Sequence, residues 1–305
     1  FFLWIMDRVF FFSATIHDPQ DFKSPMFQGS AMVGKAARLK NTFISQLIFF
    51  LFCFLAFYSA GVTIHDPQDF LGRLIGDKPW VRNAERSMFE CYDQNFFATT
   101  FHIDLFLQTF KNKDNPKEFR QVDEDKIVRA GWPMEYLANS LDSYRNMPKE
   151  NIILFPHRVA PEKQPDIFRD LRTHLPDYEL IVCQEQSLTK MEYHNLLGRA
   201  KLVFSANLQE TLGISWYEGA LVDTIPMVPD RLSYAEMALD QFKYPSKWTE
   251  SFGDYENHRV LIIERIKDYI ENYDQYLPTL RKQVAKLKTD FFSGEKLYGA
   301  IGNGS

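Results

Sequence analysis

Short apolar runs alternate with amphipathic segments along the second half of the chain. The apolar runs predict buried strands, and the segments between them carry apolar residues at helical spacing. The strands begin about 20 to 27 residues apart with a helix in each interval, which is typical of a parallel, doubly wound sheet. Ligands of such sheets bind beyond the carboxyl ends of the strands. The predicted strands are 152–155, 179–183, 202–204 and 225–228, and the predicted helices are 165–175, 189–197 and 214–221.

Two four-residue motifs predict where helices of this half begin. Thr189-x-x-Glu192 and Ser233-x-x-Glu236 are both typical of a capping box, in which a hydroxyl and a carboxylate satisfy free amides at a helix start. The helix at 165–175 is expected to bury one face. That face carries Ile167, Phe168, Leu171 and Leu175.

The first half of the chain is less regular. Segments 84–94 and 101–110 predict helices, and 96–99 predicts a strand. A polar stretch with Pro148 favours a domain boundary close to that residue. We expect three parts: 1–60, an irregular apolar segment; 61–147, the remainder of an N-terminal domain; and 148–305, a C-terminal domain whose last helices, 259–273 and 277–291, return to the N-terminal domain.

The first seventy residues contain a duplicated octapeptide. The sequence TIHDPQDF at Thr15–Phe22 recurs at Thr63–Phe70. One repeat does not make a solenoid, which needs several stacked units. Recent duplication, or an error in gene assembly, explains the repeat better than a designed two-fold site.

Two other N-terminal features leave alternatives open. Residues 44–62 carry no charge and are long enough to span a bilayer, with basic residues before them; a buried helix or strand is the other interpretation. Gly29–Ala36 has the spacing of a phosphate-binding loop around Lys35, which would make the chain an NTPase. However, Ala36 stands where that loop needs a hydroxyl for magnesium.

The stretch 205–229 carries the most specific chemical signal. It follows the strand at 202–204 and continues through a glycine turn into the helix at 214–221. Glu210 and Glu218 lie eight positions apart on either side of Gly213. A helix that begins at this turn offers free backbone N–H groups, which suit a phosphate.

This stretch resembles the Glu-x7-Glu motif of retaining glycosyltransferases of the GT-B fold, which use nucleotide-sugar donors. A second motif of that family, a strand followed by a loop with a basic pair, is similar to LFPHRVAPEKQ at 154–164. Arg158 and Lys163 match the basic pair, while Pro156, His157 and Gln164 replace glycines. The resemblance covers 131–292 and implies an α/β protein of two Rossmann-like, doubly wound domains facing a cleft, with a short or irregular N-terminal domain.

The resemblance implies a role for each candidate residue in a hexosyltransferase. The donor is expected to be a UDP-, GDP- or ADP-sugar, and no separate cofactor is implied. Glu210 would contact the donor sugar at the reacting centre, and Glu218 would bind the ribose. The expected diphosphate-binding residues are Arg158, Lys163, Thr211, Leu212 and Gly213.

The acceptor side is less well marked. His65 is expected to join Glu210 in catalysis, and His102 to line the acceptor side of the cleft. A structural role is the alternative for each histidine. Asp230 and Arg231 lie at a predicted strand end, where they would contact donor or acceptor, or pair with each other. The acceptor itself is left open between a glycan, a lipid, a protein and a modified nucleic-acid base.

Composition narrows these interpretations only slightly. A net charge of −5 over 305 residues gives no general attraction for nucleic acid or anionic membranes. No His or Cys cluster has metal-binding spacing, so we expect transfer without a metal. A non-catalytic nucleotide-sugar or glycan-binding module that has lost its acceptor domain is the alternative function. We expect a cytoplasmic chain, attached to a membrane if 44–62 inserts.

Overall fold

The computed structural model describes residues 62–64, 89–108 and 122–303. The first copy of the octapeptide, the loop around Lys35, residues 44–61 of the apolar run and His65 all lie outside these ranges. Within the described ranges, no helix is both long enough and apolar enough to cross a bilayer.

Three short parallel strands form a sheet in the N-terminal part of the described chain, and a helix packs beside it. The strands lie side by side in the order β1-β2-β3. Phe89, Phe97 and Phe106 form a small buried cluster between this sheet and the helix. The elements are β1 (Val62–Ile64), β2 (Gln94–Phe97), α1 (Thr100–Gln108) and β3 (Ile127–Arg129).

The predicted boundary between helix 84–94 and strand 96–99 is wrong. The strand begins two residues earlier, at Gln94, and ends at Phe97. Asn95 explains the difference, because it is fully buried in the strand and its amide donates to the Phe89 carbonyl at 3.2 Å. A buried polar residue with a local hydrogen-bond partner interrupts the apolar run without interrupting the strand.

A five-stranded, wholly parallel sheet forms the centre of the C-terminal part, in the order β5-β4-β6-β7-β8. The predicted α/β class and doubly wound parallel sheet are confirmed. The topological switch lies at β4, whose two neighbours connect in opposite directions. The elements are α2 (Tyr136–Leu141), β4 (Glu150–Phe155), α3 (Pro165–His174), β5 (Glu179–Val182), α4 (Lys190–Arg199), β6 (Ala200–Phe204), α5 (Ile214–Leu221), β7 (Ile225–Pro229), α6 (Tyr234–Met237), β8 (Lys243–Tyr244), α7 (Phe252–Glu271), α8 (Tyr273–Asp290) and α9 (Glu295–Asn303).

The helices pack as their periodicity predicts. The capping box at the start of α4 is confirmed, with the Thr189 N–H donating to the Glu192 carboxylate at 2.8 Å and the Glu192 N–H donating to the Thr189 hydroxyl at 3.3 Å. Burial of one face of α3 is also confirmed. The four predicted side chains, each no more than 1% exposed, are Ile167, Phe168, Leu171 and Leu175.

The second predicted capping box is wrong. The helix after Ser233 is only four residues long, and the Ser233 side chain makes no capping hydrogen bond. The Glu236 carboxylate instead accepts the backbone N–H groups of Thr100 and Phe101, at 3.2 and 2.8 Å. A carboxylate is favourable there because the first amides of α1 have no partner within their own helix. Glu236 therefore links the two parts of the described chain.

The end of the chain packs against both parts. The Trp132 N–H donates to the Phe291 carbonyl at 2.7 Å, and the ring of Phe292 stacks on Tyr217 at a centroid distance of 3.9 Å. Leu297 of α9 is buried with residues of the first sheet.

Helix α7 begins at Phe252, earlier than predicted, because the Ser251 hydroxyl caps it.

Candidate active site at the carboxyl ends of β4 and β6

Two loops meet where β4 and β6 end side by side. Leu154 of β4 is in register with Val203 of β6, so the segments that follow, 156–164 and 205–213, leave the same edge of the sheet. The Leu208 N–H donates to the Glu162 carbonyl at 2.8 Å and ties the two loops together. This edge is where ligands of doubly wound sheets bind.

A buried ion pair joins the two loops. Lys163 Nζ lies 2.9 Å from Glu210 Oε2 and also donates to the Gln209 carbonyl at 2.6 Å. Both side chains are largely shielded from solvent, at 8% and 15% exposed. Burial works to raise the pKa of Glu210, but the charge and hydrogen bond of Lys163 outweigh it and hold that pKa below its usual value. Glu210 is therefore an ionised carboxylate at neutral pH.

Local backbone geometry directs Lys163 inward. A short 3-10 turn over Pro161–Lys163 is followed by Gln164 in the left-handed region, at φ 53° and ψ 52°. The Gln164 amide holds that conformation by donating to the carbonyls of Ala206 and Thr249, each at 2.6 Å. A non-glycine residue in this region is strained, and such strain is characteristic of functional loops.

A buried polar network supports Glu210 from the β6 side. The Asn207 amide donates to Glu210 Oε2 at 3.2 Å and to the Tyr234 hydroxyl at 2.8 Å. That hydroxyl lies 3.1 Å from Ser205 Oγ. Thr211 is buried as well, and its hydroxyl has no hydrogen-bond partner among the described residues, which leaves it available to a ligand.

The turn before α5 requires glycine and leaves the helix start open. Gly213 has φ 73° and ψ 56°, and α5 begins there without a capping side chain. The first amides of α5 thus face the same edge as Lys163, and a helix N-terminus of this kind favours an anion. Leu212 is only 2% exposed, so its contribution to a ligand site is its backbone.

Replacing Gly213 by alanine is expected to destabilise the protein by about 2 kcal/mol or more, because the residue has a left-handed φ and an added Cβ would lie 2.5 Å from Nε1 of Trp216. Gly253→Ala is the matched control, since the nearest atom to its Cβ, Ser251 Oγ, is 3.9 Å away. Thermal or urea unfolding measures both. Equal stability of the two variants would contradict this account of the turn.

One residue to which the sequence assigned no role lies beside the ion pair. His157 replaces a glycine of the family motif and is buried, with Nδ1 3.4 Å from the Ser215 hydroxyl in the first turn of α5. Burial, reinforced by the charge of Lys163, lowers the pKa of His157 to about 3. The imidazole is therefore neutral at physiological pH and acts as a hydrogen-bonding group that adds no charge to the site.

Arg158 marks the outer side of the same loop. Its guanidinium pairs with Glu162 and is 47% exposed. The next amide, that of Val159, donates to the Gln184 side chain, which follows β5. Arg158 thus offers a solvent-facing positive charge near the switch point of the sheet, where Lys163 provides a buried one.

Glu218 lies on the second turn of α5, and its carboxylate accepts a hydrogen bond from the Tyr193 hydroxyl at 3.1 Å. Burial raises the pKa of Glu218 to about 7, although Tyr193 and the charge of Lys190 act in the opposite direction. Glu210, which is paired with Lys163, is thus ionised at neutral pH, whereas Glu218 exchanges its proton near pH 7.

The structure places the remaining candidates outside this group. Arg231 donates to backbone carbonyls of two segments, 206–207 and 246–249, including those of Asn207 and Ser246 at 2.7 and 3.0 Å. Its role in the structure is therefore to hold these two segments together. Asp230 is half-exposed and pairs with Lys243 at 3.0 Å. His102 is buried in α1, with its ring edge-on to Phe97. Among the described residues, no three His, Cys, Asp or Glu side chains cluster as metal ligands.

An open groove of about 450 Å³ lies along α4, and its lining includes neither Lys163 nor Glu210. This α4 groove is lined by Tyr144, Ile181, Gln186, Leu188, Met191, Glu192, Asn195, Leu196 and Arg199. The candidate site is defined by its charges and hydrogen bonds.

Comparison with known proteins gives structural similarity only. No protein-family model and no curated protein matches the sequence. The structure is similar to that of Anabaena HepE in complex with UDP and glucose, at 12% identity and a TM-score of 0.49, over 79% of this chain and 70% of HepE. It is also similar to the pneumococcal O-GlcNAc transferase GtfA in complex with UDP and GlcNAc, at 13% identity and a TM-score of 0.49, over 73% of this chain and 48% of GtfA. The match to S. aureus TarM has 13% identity and a TM-score of 0.47 and covers 46% of that protein, so the chain spans about half the length of GtfA and TarM.

Proposed function

We propose that the chain is a glycosyltransferase that moves a hexose from a nucleotide-diphosphate sugar to an acceptor, with retention of configuration and without a metal. The observation that carries the proposal is the buried Lys163–Glu210 pair beside the open start of α5. A cation, an ionised carboxylate and free amides at one sheet edge match the charges of a departing diphosphate and a positively charged sugar.

The diphosphate needs positive charge and hydrogen-bond donors as the bond to the sugar breaks. Lys163 supplies a shielded ammonium, and Arg158 supplies a second cation at the mouth of the site. The Thr211 hydroxyl and the amides after Gly213 add neutral donors. Donors fixed in this way stabilise the leaving group because they need no reorganisation during the reaction.

The sugar carbon develops positive charge in the same step. Glu210 is held as a carboxylate by Lys163 and by the Asn207 amide, so it presents a fixed negative charge to that carbon or to the sugar hydroxyls. Lys163, which we assign to the diphosphate, contacts Glu210. The negative charge that develops on the leaving diphosphate therefore lies next to Lys163, and the positive charge that develops on the sugar lies next to Glu210.

One observation favours a second candidate function. The pKa of Glu210 is lowered and that of Glu218 is raised to about 7. Glycoside hydrolases use such a pair, one carboxyl group as the general acid and the other as an ionised carboxylate. Such an enzyme gains nothing from Lys163 and Arg158 at the leaving group. It would release sugar from an aryl glycoside without any nucleotide, whereas the proposed transferase would not.

Nucleotide binding tests the proposal, by calorimetric titration of the full chain with UDP, GDP and ADP. We expect one of the three to bind, and Arg158→Ala to weaken it about tenfold, the worth of one charge-assisted hydrogen bond. Arg169→Ala is the matched control, because Arg169 has a similar exposure, 41%, and also pairs with carboxylates on the surface. The proposal fails if no nucleoside diphosphate binds, or if both variants weaken binding equally.

A further inference from the structure

We propose that Tyr193 is a positioning residue for the donor nucleotide, holding the Glu218 carboxylate in the orientation that accepts the ribose hydroxyls. This inference rests on the proposed function, in which Glu218 binds the ribose. The direct observation is the hydrogen bond from the Tyr193 hydroxyl to Glu218 Oε2, at 3.1 Å, which joins α4 to α5.

Tyr193 is fixed by the way α4 begins. The capping box of Thr189 and Glu192 sets the first turn of the helix, and the Tyr193 N–H donates to the Thr189 carbonyl at 2.9 Å. The tyrosine ring packs at the edge of the main hydrophobic core, which also includes Cys183 at the end of β5. The hydroxyl therefore reaches Glu218 from a rigid support, with little freedom to follow the carboxylate if that group moves.

The hydrogen bond leaves one carboxylate oxygen for a ligand. Tyr193 donates to Oε2 of Glu218, and Oε1 has no hydrogen bond to the side chains described around it. A carboxylate can accept about four hydrogen bonds, so Glu218 keeps capacity for vicinal hydroxyls. Only the ionised form offers that full capacity, because a protonated carboxyl gives up one acceptor position and becomes a donor.

The charged and titratable groups around Glu218 predict how binding should change with pH. Tyr193 and Lys190 act from α4 and lower the pKa of Glu218, while burial raises it more, to about 7. Tyr136 faces it from α2, and the charge of Glu218 contributes to raising the pKa of that tyrosine. Ribose recognition should therefore strengthen as pH rises through about 7, as Glu218 loses its proton.

Removing the tyrosine hydroxyl removes an interaction that favours the ionised form. Tyr193→Phe is thus expected to raise the pKa of Glu218 by about one unit and to move the pH dependence of ribose binding upward by the same amount. A shift of that size weakens ribonucleotide binding about fivefold at pH 7. At pH 9 Glu218 is ionised in both proteins, so the loss of affinity that remains there measures the orientation of the carboxylate alone.

The test compares a ribonucleotide with its 2′,3′-dideoxy analogue by calorimetry between pH 6 and pH 9. The probe is whichever of UDP, GDP and ADP the wild-type chain binds most tightly. The measured quantity is the ratio of the affinity for the ribonucleotide to that for its dideoxy analogue, because the phosphates of both titrate alike and their effect cancels. We expect Tyr193→Phe to reduce this ratio about fivefold at pH 7 and to leave the affinity for the dideoxy analogue unchanged. Tyr178→Phe is the matched control, since Tyr178 donates to Glu271 at the same distance, 3.1 Å, on the surface.

Three outcomes would overturn the inference. If the wild type binds the ribonucleotide and its dideoxy analogue equally at every pH, Glu218 does not recognise the ribose, although the donor site stands. If Tyr193→Phe weakens both nucleotides alike at every pH, Tyr193 supports only the fold. If no nucleoside diphosphate binds the wild type, the proposed function fails and this inference fails with it.

Discussion

Lys163→Met is expected to slow release of nucleoside diphosphate from the donor sugar about 10²- to 10³-fold, the cost of removing one fixed donor from a developing anion. The Lys163 side chain is only 8% exposed, and its ammonium contacts both Glu210 and a backbone carbonyl, so solvent cannot replace it. The measurement is the single-turnover rate of diphosphate release from a UDP-, GDP- or ADP-sugar.

Two companion variants separate chemistry from folding. Lys163→Met leaves the Glu210 charge without its cationic partner, which should cost about 3 kcal/mol of stability. The double variant with Glu210→Gln should regain stability but not rate. Lys149→Met is the matched control. Lys149 is also a shielded lysine, and it donates to the backbone carbonyls of Ala200 and Val222 at the opposite edge of the sheet. It should lose stability and keep its rate when folded. A folded Lys163→Met protein with the wild-type rate would contradict the assignment.

Arg231→Met is expected to be the most destabilising of the single substitutions considered, at about 3 to 5 kcal/mol. The guanidinium donates to four carbonyls, at 2.7 to 3.1 Å, and to one hydroxyl. Methionine fills similar volume but removes all five hydrogen bonds, and each hydrogen bond from a charged donor contributes about 1.5 to 3 kcal/mol. The loss is smaller at the carbonyls of Ala206 and Thr249, because the Gln164 amide still donates to both. The acceptors belong to Ala206, Asn207, Ser246 and Thr249.

Denaturant unfolding of the purified chain measures this loss, with Arg265→Met as control. Arg265 donates to one hydroxyl and one carbonyl, those of Tyr269 and Gln241, so its loss should cost about 1 kcal/mol. Nucleotide affinity should also fall in Arg231→Met, because Arg231 holds the backbone at Asn207, which supports Glu210. Equal stability losses in the two variants would show that the loops do not depend on Arg231.

The sequence predicts the fold best where local signals agree with packing. Helix α5 and strands β4 to β7 follow from apolar runs and spacing, and the Thr189–Glu192 capping box lies where the motif places it. The motif at Ser233 has the same residue types, yet Glu236 caps α1, which lies more than a hundred residues earlier. Local pattern cannot reveal that a helix start distant in sequence competes for the carboxylate.

The candidate site likewise contains residues that the sequence predicts and residues that only the structure identifies. Lys163, Glu210 and Gly213 are evident from motif and turn chemistry, and the structure brings them to one edge of the sheet. The contact of Tyr193 with Glu218 depends on how α4 packs beside α5, and no short motif encodes it. Arg231 shows the reverse case. A charge at a strand end suggests ligand binding, but the structure surrounds this guanidinium with backbone carbonyls of two segments, 206–207 and 246–249.

The most direct test is a crystal structure of the full chain with the nucleoside diphosphate that binds most tightly. We expect diphosphate oxygens within about 3 Å of Lys163 Nζ and of the first amides of α5, with the ribose next to Glu218. A nucleotide in the α4 groove, or anywhere that leaves the Lys163–Glu210 pair untouched, would contradict it.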